Sequence, residues 1–156
     1  MTLQAPTIVN RKALHLYFVE ERFELGMVLS GSEIKSIRAG NISLGEAWVD
    51  LSDKDELWLV GAHIDEYRLA HQFNHLPAQR RKLLAHSHEI QKMRKAKDLK
   101  GYTLVPLELH FKNRFAKIEV GICKGKDNRD RRQDLMAKES KREVARIVKH
   151  RERDDA

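Results

Sequence analysis

The sequence predicts a mainly β body, an antiparallel barrel with short helices among its strands, followed by a flexible basic tail. Three observations carry this. Apolar and polar residues alternate over Leu107–Phe111 and again over Ala116–Ile122, the period of a half-buried strand. Ser30 and Glu33 stand at capping-box spacing ahead of Ile34 and Ile37, which share a helical face. Every Trp, Tyr, Phe and Pro lies upstream of Lys124, whereas the 33 residues from Lys124 to Ala156 hold 12 of the 30 Lys and Arg against 8 of the 23 Asp and Glu. That stretch carries +4 of the formal +7.

The elements follow in order. Met1 to Val9 has no clear period and reads as a loose arm. Tyr17, Phe18, Val19, Phe23 and Val28 make His15–Leu29 one long or bent strand with a break near Gly26. The capping box opens a helix of about two turns that Gly40 terminates. Ala47, Val49 and Leu51 alternate with Trp48 and Asp50, and the polar turn Ser52–Glu56 leads into Leu57–Ala62, which together predict a β-hairpin. Tyr67–Pro77 reads as a loop. After Arg80-Arg81-Lys82 a helix begins near Ser87, with Ile90, Met93 and Ala96 on one stripe and Lys92, Arg94 and Lys95 on the other face.

Leu107, Leu109 and Phe111 form one face of a strand, Ala116, Ile118, Val120 and Ile122 one face of the next, and Lys112-Asn113-Arg114 joins them as a tight hairpin. Tyr102 and Leu104 are in the opposite phase, so a bulge or kink is expected at Val105-Pro106. Short strands with small helices among them suggest a compact barrel of the oligonucleotide-binding kind. From Asp130 to His150 the composition favours helix. Its apolar stripe (Leu135, Met136, Val144, Ile147, Val148) is thin, so the tail is expected to stay mobile until a partner orders it. The expected division is an arm over 1–9, a barrel over 10–123 and a tail over 124–156.

A pI of 9.6 and a net charge of +7 favour a phosphate-bearing partner, either nucleic acid or an anionic membrane surface. No apolar run approaches the ~20 residues of a membrane span, and no signal peptide opens the chain. The single cysteine, Cys123, fits a reducing compartment, so the default location is cytoplasmic. His71 and His75 are four apart and His86 and His88 two apart, but no third ligand stands at zinc-like spacing; solvated or RNA-facing histidines are the simpler reading. Cys123 ends a strand with no nucleophile motif around it, and Asp53, Asp55 and Glu56 make a hydrophilic turn. Neither an enzyme nor a cofactor is expected. Three basic clusters, Asn10-Arg11-Lys12, Arg80-Arg81-Lys82 and Lys124-Gly125-Lys126, lie at element boundaries with Tyr17, Phe18 and Phe73 available for stacking. Singly each is a solvated surface; together they suit RNA, with cations on phosphates and rings on unpaired bases.

These clusters sit inside segments that resemble a known family. NRKALHLYF, ERFELG, GSEIKSIRAGNISL, RRKLLAHSHEI, GYTLVPLELHFKN and CKGKDNRDRR run collinearly from Asn10 to Arg132, and SKREVARIVKHR continues the likeness into the tail. They are similar to small protein B (SmpB), the bacterial partner of transfer-messenger RNA. The resemblance implies an oligonucleotide-binding-like barrel that binds the tRNA-like end of that RNA and brings it to stalled 70S ribosomes. It also implies a tail that enters the empty mRNA channel beyond the decoding centre and becomes helical there. Implied partners are transfer-messenger RNA, small-subunit rRNA, and elongation factor Tu with the aminoacylated RNA. The implied protein is a ribosome-associated monomer with no membrane contact.

Residue by residue, the resemblance assigns RNA binding to Asn10, Arg11, Lys12, His15, Tyr17, Glu24, Lys82, Leu84 and Lys117. Glu24 is unexpected beside phosphates and would accept from a base or orient a neighbouring cation. Lys124, Gly125 and Lys126 match the hinge, and Arg129, Asp130, Arg131 and Arg132 the segment near the decoding centre. Three positions depart from the family's pattern. Leu76-Pro77-Ala78-Gln79 stands where Asp-Pro-x-Arg is usual, Arg129 where His or Tyr is, and Asp127 where Lys is common.

Overall fold

The computed structural model describes residues 5–126 and 128–154, the side chains of 71, 128–131, 134 and 150–154 excepted. In chain order the elements are β1 (Ile8–Val9), α1 (Arg11–Leu16), β2 (Tyr17–Met27), α2 (Gly31–Arg38), β3 (Ile42–Ser43), β4 (Trp48–Leu51), β5 (Leu57–Val60), β6 (His63–Ile64), a 3-10 turn (Arg68–Phe73), β7 (Arg81–Leu84), α3 (Ser87–Asp98), β8 (Tyr102–Lys112), β9 (Phe115–Gly125) and α4 (Asn128–Asp154). Seven strands form one antiparallel sheet in the order β1-β8-β9-β2-β7-β5-β4, and β3 pairs with β6 beside it. The sheet is not closed into a barrel: β1 and β4 are its edges, and β1 offers only two residues for pairing. Mainly β with a few helices is the observed class.

The inner face of the sheet builds the main core. Phe23 and Leu25 of β2, Val49 and Leu51 of β4, Leu57 and Leu59 of β5, Leu109 of β8, and Ile118, Val120 and Ile122 of β9 are buried together with Ile37 of α2 and Met93 of α3. The capping box is present: the Glu33 N–H donates to Ser30 Oγ (3.4 Å) and the Ser30 N–H to Glu33 Oε1 (3.0 Å). Gly40, at φ 82°, takes the left-handed conformation that ends α2, a conformation open to glycine without Cβ strain. In α3, Met93 and Ala96 are buried. Beside this stripe Arg94 reaches Asp55 (2.6 Å) and the Ser52 carbonyl, and Lys97 the Leu51 carbonyl, so the helix is fastened to the β4–β5 hairpin.

Four local readings need correction. Ile8 and Val9, the end of the expected loose arm, pair with Leu109 and Glu108. Residues 11–16, read partly as strand, form α1. Its N-cap is Asn10, whose side-chain oxygen accepts the Ala13 N–H (3.2 Å) while its amide donates to the carbonyls of Pro106 (2.8 Å) and Leu44 (3.1 Å). The bend in β2 is a register shift between Val19 and Glu21, not a break at Gly26. The expected bulge in β8 lies between Pro106 and Glu108, so Leu107 belongs with Val105 and not with Leu109.

Val105, Leu107, Ala13 of α1 and Cys123 of β9 make a second, smaller core on the outer face of the sheet, with Leu14, Tyr17 and Val19 at its rim. Gly121 sits beneath it, where an added methyl would stand 2.6 Å from Leu107 Cδ1 and 3.2 Å from Val19 Cγ1. Gly121→Ala is therefore expected to lower stability by about 1–3 kcal/mol through overpacking. Thermal unfolding checks this, and an unchanged midpoint would mean that the Leu107 and Val19 side chains give way without cost.

The hairpin β8–β9 turns at Asn113-Arg114, one residue shorter than expected, with Lys112 paired to Phe115 and Asn113 at φ 59°. Residues up to Gly125 form one compact unit and those from Lys126 another. In the second unit α4 is a continuous helix of 27 residues, about 40 Å long at 1.5 Å per residue, over a stretch whose composition favours helix. Glu139 and Glu143 precede Arg142 and Arg146 by three residues, a spacing that supports helix without any tertiary contact. Met1–Gln4 and Asp127 lie outside the described residues.

Candidate nucleic-acid interface

Strand β9 has an unbroken alternation, so Lys117, Glu119, Gly121, Cys123 and Gly125 all point to the outer face of the sheet. This face has two stretches. At the hairpin end it is open and charged; at the Gly125 end it is covered by α1. The candidate RNA-binding residues divide between them.

The open stretch holds Glu24, Lys82, Leu84 and Lys117. Gly26 of β2 is opposite Lys117 on one side and Leu84 on the other, which puts Lys117, Gly26 and Leu84 in one row across three strands. With no side chain on Gly26, the Lys117 ammonium lies over the bare backbone, 3.9 Å from where a Cβ would be. Leu84 is exposed, and Lys82 points outward with its ammonium 4.0 Å from Glu56. Lys117 has no carboxylate partner among the described residues, so its charge is available to an incoming anion.

Glu24 is surrounded by cationic or protonatable groups. His110 Nε2 is 3.5 Å from Glu24 Oε2 and Lys112 Nζ is 3.7 Å from Oε1. His110 Nδ1 faces Glu108 at 3.6 Å and has no hydrogen-bond partner among the described residues. Arg22 likewise answers Glu119 at 3.5 Å. Half-exposed pairs of this kind contribute only about 0–1 kcal/mol each to stability. Their effect here is on the field: Lys112 and Arg22 offset the charges of Glu24 and Glu119 on a face that otherwise repels phosphate.

At the covered end, Arg11 is exposed, Lys12 pairs with Glu46, and Tyr17 packs half-buried beside α1. Lys12, Leu16, Tyr17, Gly45, Glu46 and Thr103 line a cleft of about 240 Å³. His15 is half-buried in the last turn of α1. Asn10 differs from these. It is 3 % exposed with its amide fully engaged, so it positions α1 and is not free to read a base. Lys124 and Gly125 close the ladder opposite Phe18 and Tyr17, so the body reaches further along the expected hinge, and Lys126 is the first residue beyond it. Arg129, Asp130, Arg131 and Arg132 fall in the first turns of α4; the side chains of the first three lie outside the described residues.

The basic triplet is the main surprise. Strand alternation turns Lys82 outward and Arg81 inward, to 2 % exposure. Arg81 Nε donates to Glu33 Oε2 at 2.5 Å, Nη1 to the Ala62 carbonyl, and Nη2 to the carbonyls of Leu76 and Pro77. Burial by itself pushes the Glu33 carboxyl up, but the Ser30 N–H and the Arg81 guanidinium outweigh it and leave the group below its ordinary value. His75 is structural too: its Nε2 donates to the Ile64 carbonyl (3.0 Å) and its Nδ1 accepts from Ser32 Oγ (2.9 Å). Burial, partly offset by Arg22, pushes the Cys123 thiol up to about 11, which leaves almost no thiolate at neutral pH. Residues missed by the sequence reading are Trp58, His110 and Lys112 on the open face; the alternation of Leu57–Val60 and Leu107–Lys112 was the available signal.

Comparison with known proteins is consistent with this arrangement. Residues 7–150 match the family model described as SmpB protein. The chain is 47% identical over 144 residues to the SsrA-binding protein of Bacillus cereus strain G9842, covering 92% of each chain. It is 46% identical over the same length, again 92% of each chain, to the SsrA-binding protein of Bacillus anthracis strain CDC 684 / NRRL 3495. A solved structure presented as "tmRNA-SmpB: a journey to the center of the bacterial ribosome" matches with a TM-score of 0.66 and 38% identity over 80% of this chain and 87% of that one. On this evidence the chain belongs to the SmpB family.

Proposed function

We propose that this chain binds transfer-messenger RNA, the SsrA RNA of its relatives' name, and acts with it in trans-translation on the ribosome. The observation that carries the reading is the open outer face, where Lys117, without a carboxylate partner among the described residues, flanks bare backbone at Gly26 with Lys82 and Leu84, while Lys112 offsets Glu24. Such a surface positions a phosphate backbone and leaves room for bases to approach. Arg11, Lys12, His15 and Tyr17 extend it along the same face, with Asn10 holding α1 in place.

In this role the body holds the tRNA-like domain. The tail, through Lys126 and the segment Arg129, Asp130, Arg131 and Arg132, occupies the empty mRNA channel near the decoding centre as a helix. The open antiparallel sheet is a variant of an oligonucleotide-binding-like barrel; β4 and β8, at different places in the strand order, contribute to one core, which supports that reading. The protein works as a cytoplasmic, ribosome-associated monomer, meets elongation factor Tu through the aminoacylated RNA, and catalyses no step itself.

Competition binding tests the proposal. Binding to the tRNA-like domain should survive excess duplex DNA, and equal displacement by any polyanion would reduce the protein to a generic counterion-release binder. Lys117→Ala should weaken binding and flatten the log–log salt dependence by about one unit of slope. An unchanged slope would place the RNA elsewhere on the molecule.

A further inference from the structure

The open face continues past the residues so far assigned to RNA. On β5, Trp58 is the direct cross-strand neighbour of Lys82 and shares its outward direction. The Arg80 guanidinium carbon lies 4.2 Å from the Trp58 ring centroid. Arg80 is exposed and, among the described residues, has no carboxylate partner. Arg22, Arg81 and Arg94 in the same body each have one. The indole therefore seats the guanidinium over its ring without neutralising it. A guanidinium on an aromatic ring can offer a second planar surface and its N–H groups to a ligand, and Arg80 is exposed.

A cation serving only as a counter-charge gains nothing from a seat on a ring, since an ammonium on a mobile stem does the same. A fixed guanidinium plane is useful where the ligand is itself planar. We propose that Arg80, braced by Trp58, is a stacking site for an unpaired base of the bound RNA, with its N–H rim turned to the adjoining phosphate. This rests on the RNA-binding reading above. Continuity with Lys82, Leu84 and Lys117 favours RNA over an acidic peptide as the occupant: the row from Trp58 to Lys117 crosses four neighbouring strands, about 14 Å at the usual strand spacing.

The bland alternative is that the Arg80 stem merely shields the indole from water. Arg80→Lys separates the two, because lysine keeps the charge and an apolar stem but not the plane. The full chain carrying Trp48→Phe has Trp58 as its one indole, since the sequence contains two tryptophans. Titrating it with transcribed tRNA-like domain of transfer-messenger RNA should quench Trp58 emission in step with binding. In the otherwise unsubstituted chain, Arg80→Lys should bind the same RNA about tenfold more weakly, with an unchanged salt slope and an unchanged thermal midpoint. Unaltered Trp58 emission at saturating RNA, or wild-type affinity for Arg80→Lys, overturns the inference while leaving the functional reading standing. Failure of the unsubstituted chain to bind this RNA overturns both.

Discussion

Arg81→Met should lower the unfolding free energy by roughly 3–5 kcal/mol, the largest single-residue effect expected in this protein. The guanidinium is one of the largest fully buried side chains and ties Glu33 to the carbonyls of Ala62, Leu76 and Pro77. Removing it takes the guanidinium from a core carboxylate and its donor from the Ala62 carbonyl, while the carbonyls of Leu76 and Pro77 keep the N–H groups of Gln79 and Ile64. Urea unfolding followed by circular dichroism measures the loss; a change below about 1 kcal/mol would mean that water reaches the pair. The pair also sets an acid limb. Because the folded Glu33 carboxyl is held below its reference value of 4.5, its contribution is complete above that pH and disappears as the pH falls through the lower folded value. Glu33→Gln should therefore show a smaller fall in stability below pH 4.5 than the parent chain.

Truncation after Gly125 should abolish rescue of stalled ribosomes while leaving affinity for the tRNA-like domain nearly intact. The two buried clusters, and every residue of the open face, lie at or before Cys123, so the body keeps its cores and its proposed RNA surface. The removed segment holds eleven Lys and Arg but also eight Asp and Glu, so the long-range attraction lost with it is modest. A filter-binding assay paired with a cell-free tagging assay reads the two halves separately. If truncation removes RNA binding instead, the tail is part of the RNA site and the proposed division of labour fails.

The alternation in 47–62 and 102–122 made both hairpins legible, since one buried face imposes a period of two on any strand. The Ser30–Glu33 spacing announced α2 for an equally local reason. Arg81 was not legible. A lone arginine in a basic triplet reads as solvent-facing, and only Glu33, 48 positions away, makes its burial tolerable. The same holds for α1, whose cap is secured by carbonyls at positions 44 and 106. Glu24 looked misplaced until the strand order brought His110 and Lys112 to it.

By itself, then, the sequence determined α2, α3 and the strands of both hairpins, where the charge lies and which family the chain resembles, because these depend on neighbours within a few residues. Only the tertiary structure decided which cations are buried, which are neutralised and which stay free, because each answer depends on partners brought from distant strands into one dielectric environment. Arg80, Arg81 and Lys82 are adjacent in sequence, yet they end on an indole, in the core and on the open face.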